Sequence, residues 1–197
     1  ACAPYRRLHL CDQHLSHMQA EKINTKDNLL LEVCLAALHE GQSIKTHYPK
    51  YDEQYPFSGS VSTTCTMLAR SFADIGDIIR GKDLYSGNSK EKKKRDELEK
   101  NLKEIFKQIH SGLSKEKRSH YNGDTTNYYQ LREDWWNNNR KMVWYAITCE
   151  APKDSKYFRP TCGSGEWTKD NCRCVKNDVP TYFDYVPQYL RWFEEWA

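Results

Sequence analysis

The sequence predicts an all-α fold, a disulfide-stabilised helical bundle with long irregular loops. Apolar residues recur at steps of three and four in several separate stretches, no stretch alternates convincingly as a strand would, and eight cysteines are spread along the chain. No repeat with a period of tens of residues is present, which points to a bundle and away from a solenoid.

The first helix starts at Thr25. Leu29, Leu30, Val33, Cys34, Ala37 and Leu38 recur at helical spacing, and Gly41 stands where a C-terminal stop belongs. Residues 48–60, YPKYDEQYPFSGS, carry two prolines and a glycine and read as a loop between helices. A second helix follows Ser60, with Val61, Cys65, Leu68, Phe72, Ile75 and Ile79 as its buried stripe and Gly81 at its end. Residues 82–92 are polar and read as a surface loop. The third helix runs from about Lys92 to Leu113, since Leu98, Leu102, Ile105, Phe106, Ile109 and Leu113 share one arc at 100° per residue. Gly112 marks its fraying end.

Residues 114–128 form another polar loop, with a turn at Asn122-Gly123. The fourth helix, YQLREDWWNNNRKMVWYAITC, places Leu131, Trp135, Met142, Ala146 and Cys149 on one side. Asn137, Asn138 and Asn139 are poor helix formers, so tertiary contacts must hold this helix, and Trp135 is expected to be structural. Residues 150–181 hold Pro152, Pro160, Gly163, Gly165, Pro180 and three cysteines, an irregular region constrained by disulfides in place of regular hydrogen bonding. A last helix starts near Pro187 and carries Leu190, Trp192, Phe193 and Trp196.

With 197 residues the chain can bury a sizeable core. A 38% hydrophobic and 29% charged composition suits a folded domain. The net charge of +3 is too mild to point to nucleic acid, so any electrostatic function has to come from local clustering. No apolar run is long enough to span a membrane. Ala1–Tyr5 lack an initiator Met and a signal-peptide pattern, and the sequence stops inside an aromatic run; both ends read as cut from something longer.

The cysteines are Cys2, Cys11, Cys34, Cys65, Cys149, Cys162, Cys172 and Cys174, an even number that suits an oxidising compartment and predicts that all eight pair. Connectivity is open among 105 full pairings. Four of the eight crowd into 149–174, so at least one bridge is expected to be local there, and Cys34 and Cys65, on the stripes of successive helices, are expected to face each other. Cys2, Cys11, His14 and His17 could be read as a zinc quartet, but no C-x2-C knuckle is present, and no metal or cofactor is expected.

Enzyme signatures are missing: there is no H-E-x-x-H, G-x-S-x-G or G-x-x-x-x-G-K-[ST]. The chain reads as a binding module. Its strongest local signal is basic. Lys92, Lys93, Lys94 and Arg95 open the third helix, and Lys93, Lys100, Lys103 and Lys107 fall on one stripe opposite the apolar arc, diluted by Asp96, Glu97 and Glu104. Arg6, Arg7, Lys115, Lys117 and Arg118 add cationic positions, and together these are the candidate polyanion-binding residues.

Four segments in order, CAPYRRLHLC (2–11), LLLEVCLAAL (29–38), LARSFADIGDIIRGKDL (68–84) and DWWNNNRKMVWYAITC (134–149), followed by DYVPQYLRWFEEW (184–196), resemble the alpha-type Duffy-binding-like domain of the variant erythrocyte membrane proteins of malaria parasites. The resemblance implies an adhesion module at the extracellular face of the infected erythrocyte membrane. It also implies host partners: cell-surface receptors such as complement receptor one, sulfated glycans such as heparan sulfate, and blood-group sugars. A complete domain of this type has three subdomains, so the chain would hold the end of the first with the first bundle helix (1–47), the helical second (48–181) and the opening helix of the third (182–197). Trp135, Trp136, Arg140, Val143 and Trp144 then look like packing and helix-joining positions, while the contact regions are the variable ones.

Overall fold

The computed structural model describes residues 2–23, 25–54, 64–163, 165–176 and 178–196. Within them lie α1 (Tyr5–Leu8), α2 (Gln13–Ser16), α3 (Lys26–Gln54), α4 (Thr64–Arg80), α5 (Ser89–Ser111), α6 (Lys115–Ser119), α7 (Tyr129–Ile147) and α8 (Gln188–Trp196), with 3₁₀ turns at Ala20–Lys22 and Phe183–Tyr185. No strand forms among the described residues; Cys162 and Glu166 make one isolated bridge. The α3, α4, α5 and α7 helices share a single core.

α4 is the centre of that core. From Cys65 to Arg80 every residue but Met67 is buried, so this helix is covered on all sides by α3, α7, α8 and the Phe183–Tyr185 turn. Gly81, at φ +71°, ends it in the left-handed region as its position predicts. Val61, counted on the same stripe from sequence, lies outside the described residues.

α3 departs from expectation. It runs through Gly41 and Pro49 to Gln54, so part of the expected 48–60 loop is helix. Gly41 is a packing residue: a Cβ there would stand 2.1 Å from the Ile147 carbonyl oxygen, and its absence lets the α3 and α7 backbones touch.

α5 begins at Ser89, three residues before the expected start. Asn88 accepts hydrogen bonds from the Lys90 and Glu91 amides while its own amide donates to the Glu91 carboxylate, a complete capping box. That bond, more than any other influence, holds the Glu91 carboxyl below its usual range. The expected apolar arc is buried at Leu98, Leu102, Ile105, Phe106 and Ile109. The polar stretch after it contains the short α6, capped by the Ser114 hydroxyl.

α7 has two buried faces, and this corrects the one-sided reading. Leu131 and Trp135 turn toward α5 and α3, with Trp135 edge-on to Phe106 at 6.2 Å and donating to the Lys26 carbonyl. Trp136, Val143, Trp144 and Ile147 turn toward α4, where Trp136 and Trp144 flank Phe72 at 5.1 and 5.3 Å. Met142 is 55% exposed and Cys149 is exposed, because the space they were assigned is taken by this second face. Asn139 donates to the Trp135 carbonyl and Asn137 accepts from the Tyr185 hydroxyl at the surface, so two of the three asparagines are hydrogen-bonded within the protein.

Residues 150–181 are irregular and braced by Cys65–Cys172 and Cys162–Cys174. The second is the expected local bridge. The expected Cys34–Cys65 pair is not formed: Cys65 is fully buried against the 150–181 segment and bonds Cys172, while Cys34 sits half-buried on α3. Full oxidation is likewise corrected, since Cys2, Cys11, Cys34 and Cys149 are unpaired here. Burial pushes the Cys11 and Cys34 thiols up to about 11. His14 stacks on His39 and approaches Glu32 at 3.7 Å. On α8, Trp192 is buried but Leu190, Phe193 and Trp196 are exposed, since the helix docks through Gln188, Arg191 and Trp192 instead of its apolar arc.

Candidate polyanion-binding face

α5 is held by its apolar arc against the core, which leaves its opposite side to solvent. Lys92, Lys93, Lys100 and Lys107 are exposed there and Lys103 is half-exposed, while Lys94 is exposed on the flank nearer the apolar arc. From Lys93 to Lys107 the helix rises about 21 Å at roughly 1.5 Å per residue. Lys107 pairs with Glu104 at 3.3 Å, and Lys103 lies 4.0 Å from Glu99, which is already bound by Arg132. Lys92, Lys93 and Lys100 have no ion pair among the described residues.

The first turn of α5 is unusual. Lys90, Lys92, Lys93 and Lys94 crowd the positive end of the helix dipole, a placement that costs stability and that the capping box offsets. Lys90 escaped the sequence reading because the helix was expected to begin at Lys92. Lys115 and Lys117 of α6 extend the exposed basic set.

The arginines behave differently and must be removed from the site. Arg6, its side chain 6% exposed, pairs with Asp74 at 2.7 Å and Glu195 at 2.9 Å. Arg7 is buried on Asp83 at 2.5 Å under the Tyr85 ring. Arg95 reaches Asp83 at 2.9 Å and Asp12 at 3.3 Å. Arg118 donates to the Ser111 and Leu113 carbonyls at the end of α5. A guanidinium committed in this way to acceptors inside the fold offers less of its charge to an external anion than a hydrated ammonium does.

Arg6, Arg7 and Arg95, unlike Arg118, connect to a buried network joining α1, α4 and α8. Arg191 bridges Asp74 at 2.7 Å and Asp77 at 2.5 Å, Arg80 holds Asp77 at 2.8 Å, and Gln188 donates to both Asp74 and Asp83. Burial pushes the Asp74 carboxyl up, but Arg6, Arg191 and Arg7 outweigh it and leave it below the usual range. For Asp77 burial prevails over Arg191 and Arg80 and raises it to about 6. On α7, Arg140 and the Trp136 indole converge on Asp184 at 2.7 and 2.8 Å. The signal in sequence was present: Arg70, Asp74, Asp77 and Arg80 interrupt an otherwise apolar helix at steps of three and four.

Comparison with known proteins places this architecture. The Duffy binding domain family model matches residues 1–191. The Duffy receptor beta form of Plasmodium knowlesi is 26% identical over 209 residues, and the Duffy receptor of Plasmodium vivax 24%. The chain spans 14% and 15% of these two relatives. Among solved structures, the NTS-DBL1(alpha-1) domain of Plasmodium falciparum membrane protein 1 (PfEMP1), varO strain, superposes with a TM-score of 0.82 at 44% identity, covering all of this chain and 43% of that one. A PfEMP1 DBLb domain bound to human ICAM-1 gives a TM-score of 0.68 at 30% identity, covering 97% and 38%.

Proposed function

Since this chain belongs to the Duffy binding domain family, we propose that it is part of an adhesion module on the extracellular face of an infected red cell, and that the α5 lysine face holds a sulfated glycan of the heparan sulfate class. The observation that carries the reading is the set of exposed ammonium groups on one helix face, three of them with no ion pair among the described residues. An extended polyanion would span Lys93 to Lys107, replacing the mutual repulsion of these charges with ion pairs, and each contact would weaken with salt because exposed charges are screened over roughly 8 Å at physiological ionic strength.

A relative of this chain binds ICAM-1, so host protein receptors, complement receptor one among them, belong to the same proposal. The exposed Tyr189, Leu190, Phe193 and Trp196 of α8 favour a second reading, in which a host protein docks on aromatic surface without a glycan. The division at 1–47, 48–181 and 182–197 is also part of this proposal.

The test is heparin-column elution of the chain carrying Lys93→Glu, Lys100→Glu, Lys103→Glu and Lys107→Glu, with circular dichroism to confirm folding. The expected outcome is elution at markedly lower salt with unchanged helicity. Unchanged elution removes α5 from the site and leaves the aromatic reading.

A further inference from the structure

The turn between α6 and α7 holds the only Asn-Gly pair in the sequence, Asn122-Gly123. Its neighbours are tied down. The Tyr121 hydroxyl donates to Asp134 at 2.9 Å and the Asp124 carboxylate accepts the Leu131 amide at 3.0 Å, so both sides of the turn are fastened to α7. The Asn122 amide donates to the Ser119 carbonyl and the Asp124 amide to the Tyr121 carbonyl. Gly123 between them differs: among the described residues its amide donates to nothing, and the Asn122 side chain makes no hydrogen bond. Both residues are exposed, Gly123 has φ +93°, and a Cβ placed on it would meet nothing within 4 Å.

Other asparagines are held in ways that keep their carboxamides from the following amide. Asn88 gives its side-chain oxygen to the Lys90 and Glu91 amides, and Asn101 and Asn171 donate to the Met18 and Ala151 carbonyls. Asn137, Asn138 and Asn139 lie within α7, where the next amide is committed to the helix. Asn127 precedes Tyr128, a bulky residue that is buried. Among the described asparagines, Asn122 alone combines an unbonded carboxamide, an unbonded following amide and no side chain on the residue that carries it.

We propose that Asn122 is a site of spontaneous deamidation, which makes the α6–α7 turn a one-way charge switch. The Gly123 nitrogen gives up its proton and bonds to the Asn122 Cγ; the carboxamide C–N bond breaks, and its nitrogen leaves as ammonia. The product is a succinimide ring. Water then adds to either ring carbonyl, breaks that carbonyl's bond to the Gly123 or to the Asn122 side of the ring nitrogen, and yields aspartate or isoaspartate. Either product replaces a neutral amide with a carboxylate close in sequence to Lys117, Arg118 and His120, and lowers the formal net charge by one from +3. Isoaspartate also routes the main chain through Cγ, which lengthens it between Tyr121 and Asp124, the two residues anchored on α7. The proposal needs no bound ligand and does not depend on the polyanion reading.

The test incubates the folded, oxidised chain at body temperature, at neutral and at mildly alkaline pH, and reads the tryptic peptide 119–132 by fragmentation mass spectrometry. Isoaspartyl methyltransferase labelling identifies the isoaspartate, and Asn127 in the same peptide is the internal reference. Conversion at Asn122 is expected to be about tenfold or more faster than at Asn127, because no side chain obstructs the attacking nitrogen. The rate should rise with pH, since that nitrogen must lose its proton, and an acidic form should accumulate on cation exchange. Asn122→Gln, which leaves the backbone of the turn untouched and demands a larger ring, should abolish that form; Gly123→Ala should slow it, with circular dichroism checking a turn that alanine strains at this φ. Conversion no faster at Asn122 than at Asn127 overturns the proposal. So does a folded-state rate more than about tenfold below that of the urea-unfolded chain, which would mean that the turn protects Asn122. Mass and charge are read without heparin, so failure of the α5 reading leaves this result unchanged, and the reverse holds too.

Discussion

The α1–α4–α8 junction and the α5 face carry the same kind of charge in opposite ways. At the junction Arg6, Arg80 and Arg191 are taken out of water and matched to Asp74, Asp77 and Glu195; on α5 the lysines stay in water and several have no ion pair among the described residues. The chemistry of the two side chains explains the division. A planar guanidinium can direct several fixed donors at carboxylates and survive burial, whereas an ammonium on a flexible stem is best left hydrated and available. Positive charge by itself therefore identifies no binding site in this chain.

The junction side of the comparison gives the largest expected effect. Asp74→Ala leaves Arg6 and Arg191 buried without their shared acceptor, and losing one partner of such a group costs roughly 3–5 kcal/mol. Urea unfolding should show that loss. A variant within about 1 kcal/mol of wild type would mean the arginines find water, and the contrast with α5 would collapse.

A second measurement separates the two aspartates. Asp74 is depressed in the fold, so its stabilisation is complete above the unfolded carboxylate value of 3.8 and is lost as pH falls through its lower folded value. Asp77 is raised to about 6, so the fold carries a penalty for its charge at neutral pH that is relieved between about 6 and 3.8. Thermal melting is expected to hold or rise slightly from pH 7 to about 5 and to fall below about 4. A steady decline from pH 7 to 5 would show that Asp77 is fully compensated by Arg80 and Arg191.

The same contrast explains what the sequence revealed. α4 and α5 were legible because their apolar residues mark the buried stripe, and on α5 one arc alone faces the core. α7 was misread because Trp135 and Trp136, adjacent in sequence, point to different neighbours, so no single arc describes it. Gly41 has the composition of a stop but the task of a contact, and only the position of Ile147 distinguishes them. Arg6 and Arg7 looked like surface charge because their acceptors lie 65 or more residues away. Cys65 finds its partner 107 residues on, which periodicity cannot indicate. The lysine face was legible for the opposite reason: exposure needs no partner, and the helical period alone puts its members together.

The smallest expected effect is the most discriminating for the α5 face. Lys100 makes no ion pair among the described residues, whereas Lys107 sits 3.3 Å from Glu104 in an exposed pair. Such pairs contribute about 0–1 kcal/mol, so neither Lys100→Ala nor Lys107→Ala should shift stability by more than roughly 0.5 kcal/mol. Their effects on heparin elution should differ. Lys100 can give its full charge to a sulfate, while Lys107 must first give up Glu104, so Lys100→Ala should lower the eluting salt more than Lys107→Ala. Glu104→Gln should move elution upward by releasing Lys107. Equal losses from the two alanine variants, with no gain from Glu104→Gln, would mean that retention follows total charge, and that the arrangement of the helix face contributes nothing to it.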